Sequence, residues 1–231
     1  MEQLVLELAA PGPPSFANFV AGPNAEAVAA LTRLAEGGAA ETGILVWGAA
    51  GVGKTHLLRA TVAAALMRGR AAVYVADPGA LQATAPDMLG RHALVCVDAI
   101  DAAKADAQSR LFTLFNALRA QGAHLLAAGT APPSALPLRE DVRTRLGWGL
   151  VYEILPLADA DKPAALVHWA RQRGFGLSDD VIRYLLAHGR RDMPSLLATL
   201  GALDRHSLAT KRPVTVPLLR AWIQRDIGLD R

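Results

Sequence analysis

Gly48-Ala49-Ala50-Gly51-Val52-Gly53-Lys54-Thr55 fixes the architecture of this chain. The stretch satisfies G-x-x-x-x-G-K-[ST] at every fixed position. The spacing has a mechanical reason. Glycines let the backbone turn tightly, so that successive N–H groups point into one concavity. That concavity and the N-terminus of a following helix hold phosphate oxygens. Lys54 adds a point charge for the β- and γ-phosphates, and Thr55 offers a hydroxyl to Mg2+. Ile44-Leu45-Val46-Trp47, just before the glycines, is an apolar run without alternation, the pattern of a strand covered on both faces. A long helix to about Arg68 follows.

Outward from this point strands and helices alternate. Residues 72–76, Leu94–Val97, 124–128 and 151–155 read as four further strands. Leu111, Leu114, Phe115 and Leu118 mark a helix between Asp106 and Gln121. Upstream, Pro23-Asn24 opens an Ala-rich helix through about Ala35, ended by Gly37-Gly38. Parallel strands need crossovers, so the expectation is an α/β fold with a five-stranded parallel sheet flanked by helices. After Pro156 the pattern changes. Residues 159–173, 178–189, 193–208 and 215–225 read as four helices, with Ser178 as an N-cap and one short extended piece at Val214–Val216. The expected organisation is an extended arm over 1–14, an α/β base over 15–157 and a small all-helical domain over 158–231.

The 231 residues are 52% hydrophobic and 19% charged, enough apolar content to bury a core. The net charge of +3 is small and dispersed, which reads as an ordinary mixed surface rather than a dedicated nucleic-acid patch. Cys96 is the only cysteine, so an intrachain disulfide and a cysteine-based zinc cluster are excluded. Met1-Glu2-Gln3 lacks the basic region of a signal peptide, and no apolar run approaches the roughly 18 residues needed to span a bilayer. A cytoplasmic protein without a membrane segment is expected.

A metal-facing acid is expected at the end of a second strand, and Leu94-Val95-Cys96-Val97-Asp98 supplies it, with Asp98 reaching Mg2+ through water. In many nucleotide-hydrolysing proteins a second acid follows at once and polarises the attacking water. Here that residue is Ala99, and Asp101 is the nearest substitute. Good nucleotide binding with weak hydrolysis by the chain alone is the expectation. His56, next to the glycine loop, reads as solvated or helix-facing rather than catalytic. No nucleophile–base constellation stands out.

Gln3-Leu4-Val5-Leu6-Glu7-Leu8 precedes the proline-rich break at Pro11-Gly12-Pro13-Pro14. Leu4, Leu6 and Leu8 would share one face of an extended segment. Pattern alone is compatible with an edge strand or a tail, and also with a short peptide whose leucines fill a partner's pocket while Gln3 makes directed hydrogen bonds.

The glycine loop, the strand ending at Asp98 and the helical C-terminal part together resemble AAA+ ATPases of the DnaA clade, and within it the Hda group. The resemblance spans about residues 2–226. Phe16-Ala17-Asn18-Phe19-Val20, with Gly22 and Asn24, is similar to the clade segment that borders the adenine. Arg145-Leu146-Gly147-Trp148-Gly149 is similar to its arginine-finger segment. Gly174-Phe175 through Asp204-Arg205 resembles the Hda lid. The resemblance implies that Phe19, Val20, Gly48 to Thr55 and His56 bind ADP or ATP with Mg2+, and that Thr55 and Asp98 face the metal. It implies that Gln3, Leu4, Leu6 and Leu8 dock on the sliding clamp, the β subunit of DNA polymerase III. It also implies that Arg145, with Arg143 as the competing candidate, acts in trans on ATP held by DnaA. The activity implied is regulatory inactivation of DnaA, a brake on replication initiation. The alternative is an autonomous AAA+ ATPase, a helicase loader or DNA remodeller. The likeness stops short of DnaA's helix-turn-helix domain, so sequence-specific DNA binding is not expected. A homodimer is left open. Where the clade's sensor-2 helix presents an arginine, this chain has Pro194, with Arg190 and Arg191 just upstream, and Thr130 falls at the polar sensor position closing the fourth strand.

Overall fold

The computed structural model describes residues 13–82, 89, 91–190, 192–210 and 213–229. Within them the chain forms two compact units, one over Pro14–Pro156 and one from Leu157 onward.

The first unit is built on β1 (Gly43–Trp47), β2 (Ala72–Val75), β3 (Leu94–Val97), β4 (His124–Gly129) and β5 (Leu150–Glu153). All pairings are parallel and the order is β2-β3-β4-β1-β5. The helices are α1 (Ala25–Glu36), α2 (Lys54–Met67), α3 (Ala105–Ala120) and α4 (Glu140–Gly147). Side chains alternate across a strand, and in the three central strands β1, β3 and β4 both sets are buried. Leu45, Val95, Val97, Leu125 and Ala127 face one way and pack with Leu111, Leu114, Phe115 and Leu118 of α3 and with Val142 and Leu146 of α4. Ile44, Val46, Leu94, Cys96, Leu126 and Ala128 face the other way and pack with Leu31 and Leu34 of α1 and Leu57, Leu58 and Ala65 of α2. That double cover is the physical reason the strands read as unbroken apolar runs. Arg70 donates from Nη1 to the Leu34 and Ala35 carbonyls, placing a cation on the C-terminal end of α1.

Two expectations shift at the edges. The fifth strand closes at Glu153 instead of residue 155, because its last peptide finds a side-chain partner. Ile154 N–H still bonds to the Trp47 carbonyl at 2.6 Å. The Leu155 peptide is then taken both ways by the Asn24 amide, which donates from Nδ2 to the Leu155 carbonyl at 2.9 Å and accepts from its N–H at 2.8 Å. Asn24 is 4% exposed, so a buried side chain does the work of a missing strand neighbour. The extended piece expected over Val214–Val216 is not a strand: the last helix begins at Val216.

The second unit holds α5 (Lys162–Gln172), α6 (Asp179–His188), α7 (Met193–Thr210) and α8 (Val216–Leu229). Ser178 caps α6, accepting from Val181 N–H, and Asp179 and Asp180 sit in the first turn, where negative charge is favoured. Leu166, Val181, Ile182, Leu185, Leu196, Leu200, Leu203 and Leu219 form the core. A buried ion pair crosses it: Arg173 Nε donates to Asp204 Oδ2 at 3.0 Å, and both side chains are nearly inaccessible. The Trp169 ring lies 4.8 Å from the guanidinium carbon.

Removing one partner of such a pair strands a charge. Asp204→Ala is expected to lower stability by about 3–5 kcal/mol, whereas Arg173→Met combined with Asp204→Leu recovers most of the loss. Urea denaturation of the three proteins checks this, and equal stability of Asp204→Ala and wild type would refute it.

Candidate functional site

The glycine loop leaves β1 at its C-terminal end and opens α2 at Lys54. Two of its glycines are required by shape. Gly48 has φ of +151°, and a Cβ there would run into the Ile154 carbonyl oxygen. Gly53 has φ of +102°, and its Cβ would lie 2.6 Å from Cε2 of Phe19. The missing side chain at Gly53 is what lets the Phe19 ring reach the loop. Between these glycines, Ala49 and Ala50 stand at the exposed surface and Val52 packs toward the α1–α2 layer. Lys54 donates from Nζ to the Gly48 and Ala49 carbonyls, each at 2.7 Å. Burial lowers its pKa from the ordinary value, while the charges of Asp98 and Asp101 act the other way.

The loop meets the end of β3 through one short hydrogen bond. Thr55 donates from Oγ1 to Asp98 Oδ2 at 2.6 Å. Asp98 is 8% exposed and accepts two more bonds, from the Tyr74 hydroxyl at 2.9 Å and from Ala99 N–H at 2.9 Å. The Thr55 proton is thus committed to the carboxylate, which leaves the lone pairs of its oxygen for a hard cation. A hydroxyl backed by a carboxylate, beside a lysine and a glycine-lined turn, fits a polyphosphate carrying Mg2+.

Ala99, which stands where a second acid would polarise water, has φ of +48°, the only non-glycine residue with positive φ among those described. The turn after it brings Asp101 back to the end of β4, where its Oδ1 accepts from Thr130 N–H at 3.2 Å. Asp101 therefore lies near the loop but already holds the backbone of the expected sensor residue.

Phe19 and Val20 are half-buried, and Phe19 packs on the α1–α2 layer. The short turn before them is capped reciprocally: Ser15 Oγ accepts from Asn18 N–H and Asn18 Oδ1 accepts from Ser15 N–H. His56 bonds through Nε2 to the Ser15 carbonyl at 2.9 Å, so that nitrogen carries the proton, and its ring centroid is 5.5 Å from that of Phe19. His56 thus ties the N-terminal segment to α2.

Arg145 and Arg143 lie on α4, in a different part of the unit. Arg145 donates from Nε to Asn116 Oδ1 and from Nη1 to the Asp141 carbonyl, both at 3.1 Å. Its guanidinium carbon sits 3.8 Å from the Phe112 ring centroid and 5.4 Å from that of Trp148. Arg143 donates to the Ser134 carbonyl at 3.2 Å. The Arg145 carbonyl lies 3.6 Å from the position of a Cβ on Gly43, at the start of β1, whereas the glycine loop leaves the end of that strand. α4 also packs on the sheet face opposite α2. The structure therefore does not bring Arg145 to its own glycine loop.

Pro194 occupies the first turn of α7, a position that suits proline. Gln3, Leu4, Leu6, Leu8 and Arg191 fall outside the described residues. Among the described residues no cluster of three His, Cys, Asp or Glu could hold a metal, and no helix is long and apolar enough to cross a membrane. Three site features escaped the sequence: Tyr74 on Asp98, the Asn24 staple, and the Phe112–Trp148 seat of Arg145. A lone tyrosine in the Ala-Val-Tyr-Val strand was the available signal for the first.

Burial lowers the His56 pKa below its ordinary value, against the Ser15 bond. The folded state therefore declines a proton that the unfolded state takes up. The stabilising contribution is present above the unfolded value of about 6.5 and is lost as pH falls through the folded value. Denaturation midpoints measured from pH 7.5 down to 5 should fall more steeply for wild type than for His56→Asn. Parallel slopes would remove His56 from the acid limb.

Comparison with known proteins adds ancestry. Residues 14–77 match the family of the bacterial DnaA ATPase domain, and residues 159–223 match the Hda lid domain. Domain III of the replication initiation protein DnaA from Thermotoga maritima is similar with a TM-score of 0.83 at 18% identity, over 94% of this chain and 98% of that one. AMPPCP-bound DnaA from Aquifex aeolicus gives 0.75 at 22% identity, over 87% and 68%. A RuvB variant from Thermotoga maritima gives 0.68 at 15% identity, over 92% and 72%. The structural likenesses establish the AAA+ fold. With a DnaA-type segment at the front and an Hda-type lid at the back of that fold, the chain is similar to AAA+ proteins of the Hda/DnaA clade.

Proposed function

We propose that this chain is a nucleotide-bound adaptor that inactivates the initiator DnaA. On this reading Phe19, Val20, His56 and the Gly48–Thr55 loop hold ADP, with Thr55 and Asp98 facing Mg2+, as a ligand that keeps the base in shape. Gln3, Leu4, Leu6 and Leu8 dock the chain on the sliding clamp. Arg145 is offered to ATP bound in DnaA, where a guanidinium offsets the negative charge that develops on the transferring γ-phosphoryl group.

The observation that carries this reading is the separation of Arg145 from the glycine loop of its own molecule. Arg145 is anchored at the start of β1, and the loop leaves that strand's far end. Five residues of strand at about 3.3 Å each exceed what an arginine side chain bridges. A finger so placed serves a second molecule or none. Ala99 supports the same division of labour, since the residue after Asp98 carries no acid to activate water. The lid match extends the support to the Hda branch.

Four measurements test it. Hydrolysis of DnaA-bound ATP in the presence of clamp on DNA should be stimulated by wild type and should lose about 10³-fold or more with Arg145→Ala. Arg143→Ala should retain most of the stimulation, and the reverse order would assign the finger to Arg143. Gln3→Ala with Leu6→Ala should abolish capture on immobilised clamp while leaving nucleotide binding intact. The nucleotide that co-purifies should be the diphosphate. Brisk multiple-turnover hydrolysis by the isolated chain would instead favour the autonomous ATPase.

A further inference from the structure

The carboxylate of Asp98 is held by more than the loop it faces. Thr55 and Arg59 lie one turn apart on α2, so they present to the same side of the helix. Thr55 donates directly to Asp98 Oδ2. Arg59 reaches Asp98 indirectly: its guanidinium carbon lies 4.9 Å from the Tyr74 ring centroid, a cation–aromatic contact, and the Tyr74 hydroxyl donates to the same Asp98 Oδ2 at 2.9 Å. Ala99 N–H takes Oδ1. With two donors on one oxygen and a third on the other, the carboxylate has one orientation that satisfies all of them.

The register explains why a tyrosine stands at this position. Tyr74 pairs with Cys96, two residues before Asp98, and alternation sends Cys96 and Asp98 to the same face of the sheet, toward α2. Two residues along a strand span about 6.6 Å, the reach of a phenol from its Cα. A serine or threonine at 74 would fall short, and a phenylalanine would fill the space without donating.

We propose that Tyr74, braced by Arg59, is a positioning residue for the divalent cation of this site: its hydroxyl fixes the Asp98 carboxylate so that it takes the Thr55 proton and leaves the Thr55 oxygen turned out to the metal. Groups behind a metal ligand orient it, and their loss commonly weakens metal binding about 10- to 100-fold. The proposal rests on the reading of the Gly48–Thr55 loop as a nucleotide site.

The test is fluorescent ADP binding to the full chain, titrated with Mg2+ and repeated in EDTA. Tyr74→Phe keeps the ring and deletes the donor. It should raise the Mg2+ concentration at half-effect about tenfold, while affinity in EDTA and the thermal midpoint stay at wild-type values. Arg59→Gln, which leaves the phenol in place without its brace, should give a smaller rise in the same direction. Unchanged Mg2+ dependence in Tyr74→Phe overturns the proposal. So does an equal loss of affinity with Mg2+ and in EDTA, since that marks Tyr74 as a packing residue. Absence of ADP binding by the wild type under both conditions removes the nucleotide-site reading and this proposal with it.

Discussion

Strand β1 is hydrogen-bonded on both edges, to β4 and β5, and buried on both faces. That constraint governs the rest of the unit. A strand so enclosed has one free end on the side where the chain must leave, and what leaves there emerges among the C-terminal ends of its neighbours. In open parallel sheets such a place is where ligands bind. Gly48 begins the loop there, and β3 delivers Asp98 beside it. The glycines then solve a steric problem that the enclosure creates. The chain leaving β1 passes against the Ile154 carbonyl and under the Phe19 ring, with no room for a Cβ at Gly48 or Gly53.

The polar groups around the loop follow the same economy. Asp98 is nearly buried, and a buried carboxylate is tolerable only when hydrogen-bonded. Its three donors come from three elements: the first turn of α2, the strand β2 and the turn after β3. The arrangement is therefore assembled by tertiary structure and does not exist in any isolated segment. Asn24 plays a similar part on the other side of β1, joining the start of α1 to the peptide after β5. Both devices stiffen the neighbourhood of the loop before any ligand arrives, which lowers the ordering cost of binding one.

The sequence carried the sheet, the loop, Asp98 and the helical second unit because each leaves a local mark. Unbroken apolar runs mark strands covered on both faces, the glycine spacing marks a phosphate turn, and the 3.6-residue rhythm marks the helices. The ends of β5 and α8 were less legible, because Asn24 reaches the Leu155 peptide from 131 residues away and Val214 sits between coil and helix. The partner of Tyr74 was hidden for the same reason: it depends on the β2–β3 register, not on anything near Tyr74 in the chain. His56 was legible as a helix residue, but its bond to the Ser15 carbonyl, which fixes the N-terminal segment, was not. Long-range polar contacts leave no periodic trace, and the candidate site consists mostly of them.

Arg145 shows how a group can be held and still be available. Its seat on Phe112 is a cation–aromatic contact worth about 0.5–2 kcal/mol. Its bonds to Asn116 and the Asp141 carbonyl add about 0.5–1.5 kcal/mol each at a half-buried surface. If Arg145 serves a neighbour's phosphoryl group, a stimulation of about 10³ to 10⁵ corresponds to roughly 4–7 kcal/mol of transition-state stabilisation. The two quantities are close enough to matter. A free arginine would lose more rotamer entropy on docking, whereas one held much more tightly would stay home. On that reading the Phe112 ring and the Asn116 amide would hold the guanidinium between those limits, from α3, which packs on the sheet face opposite α2.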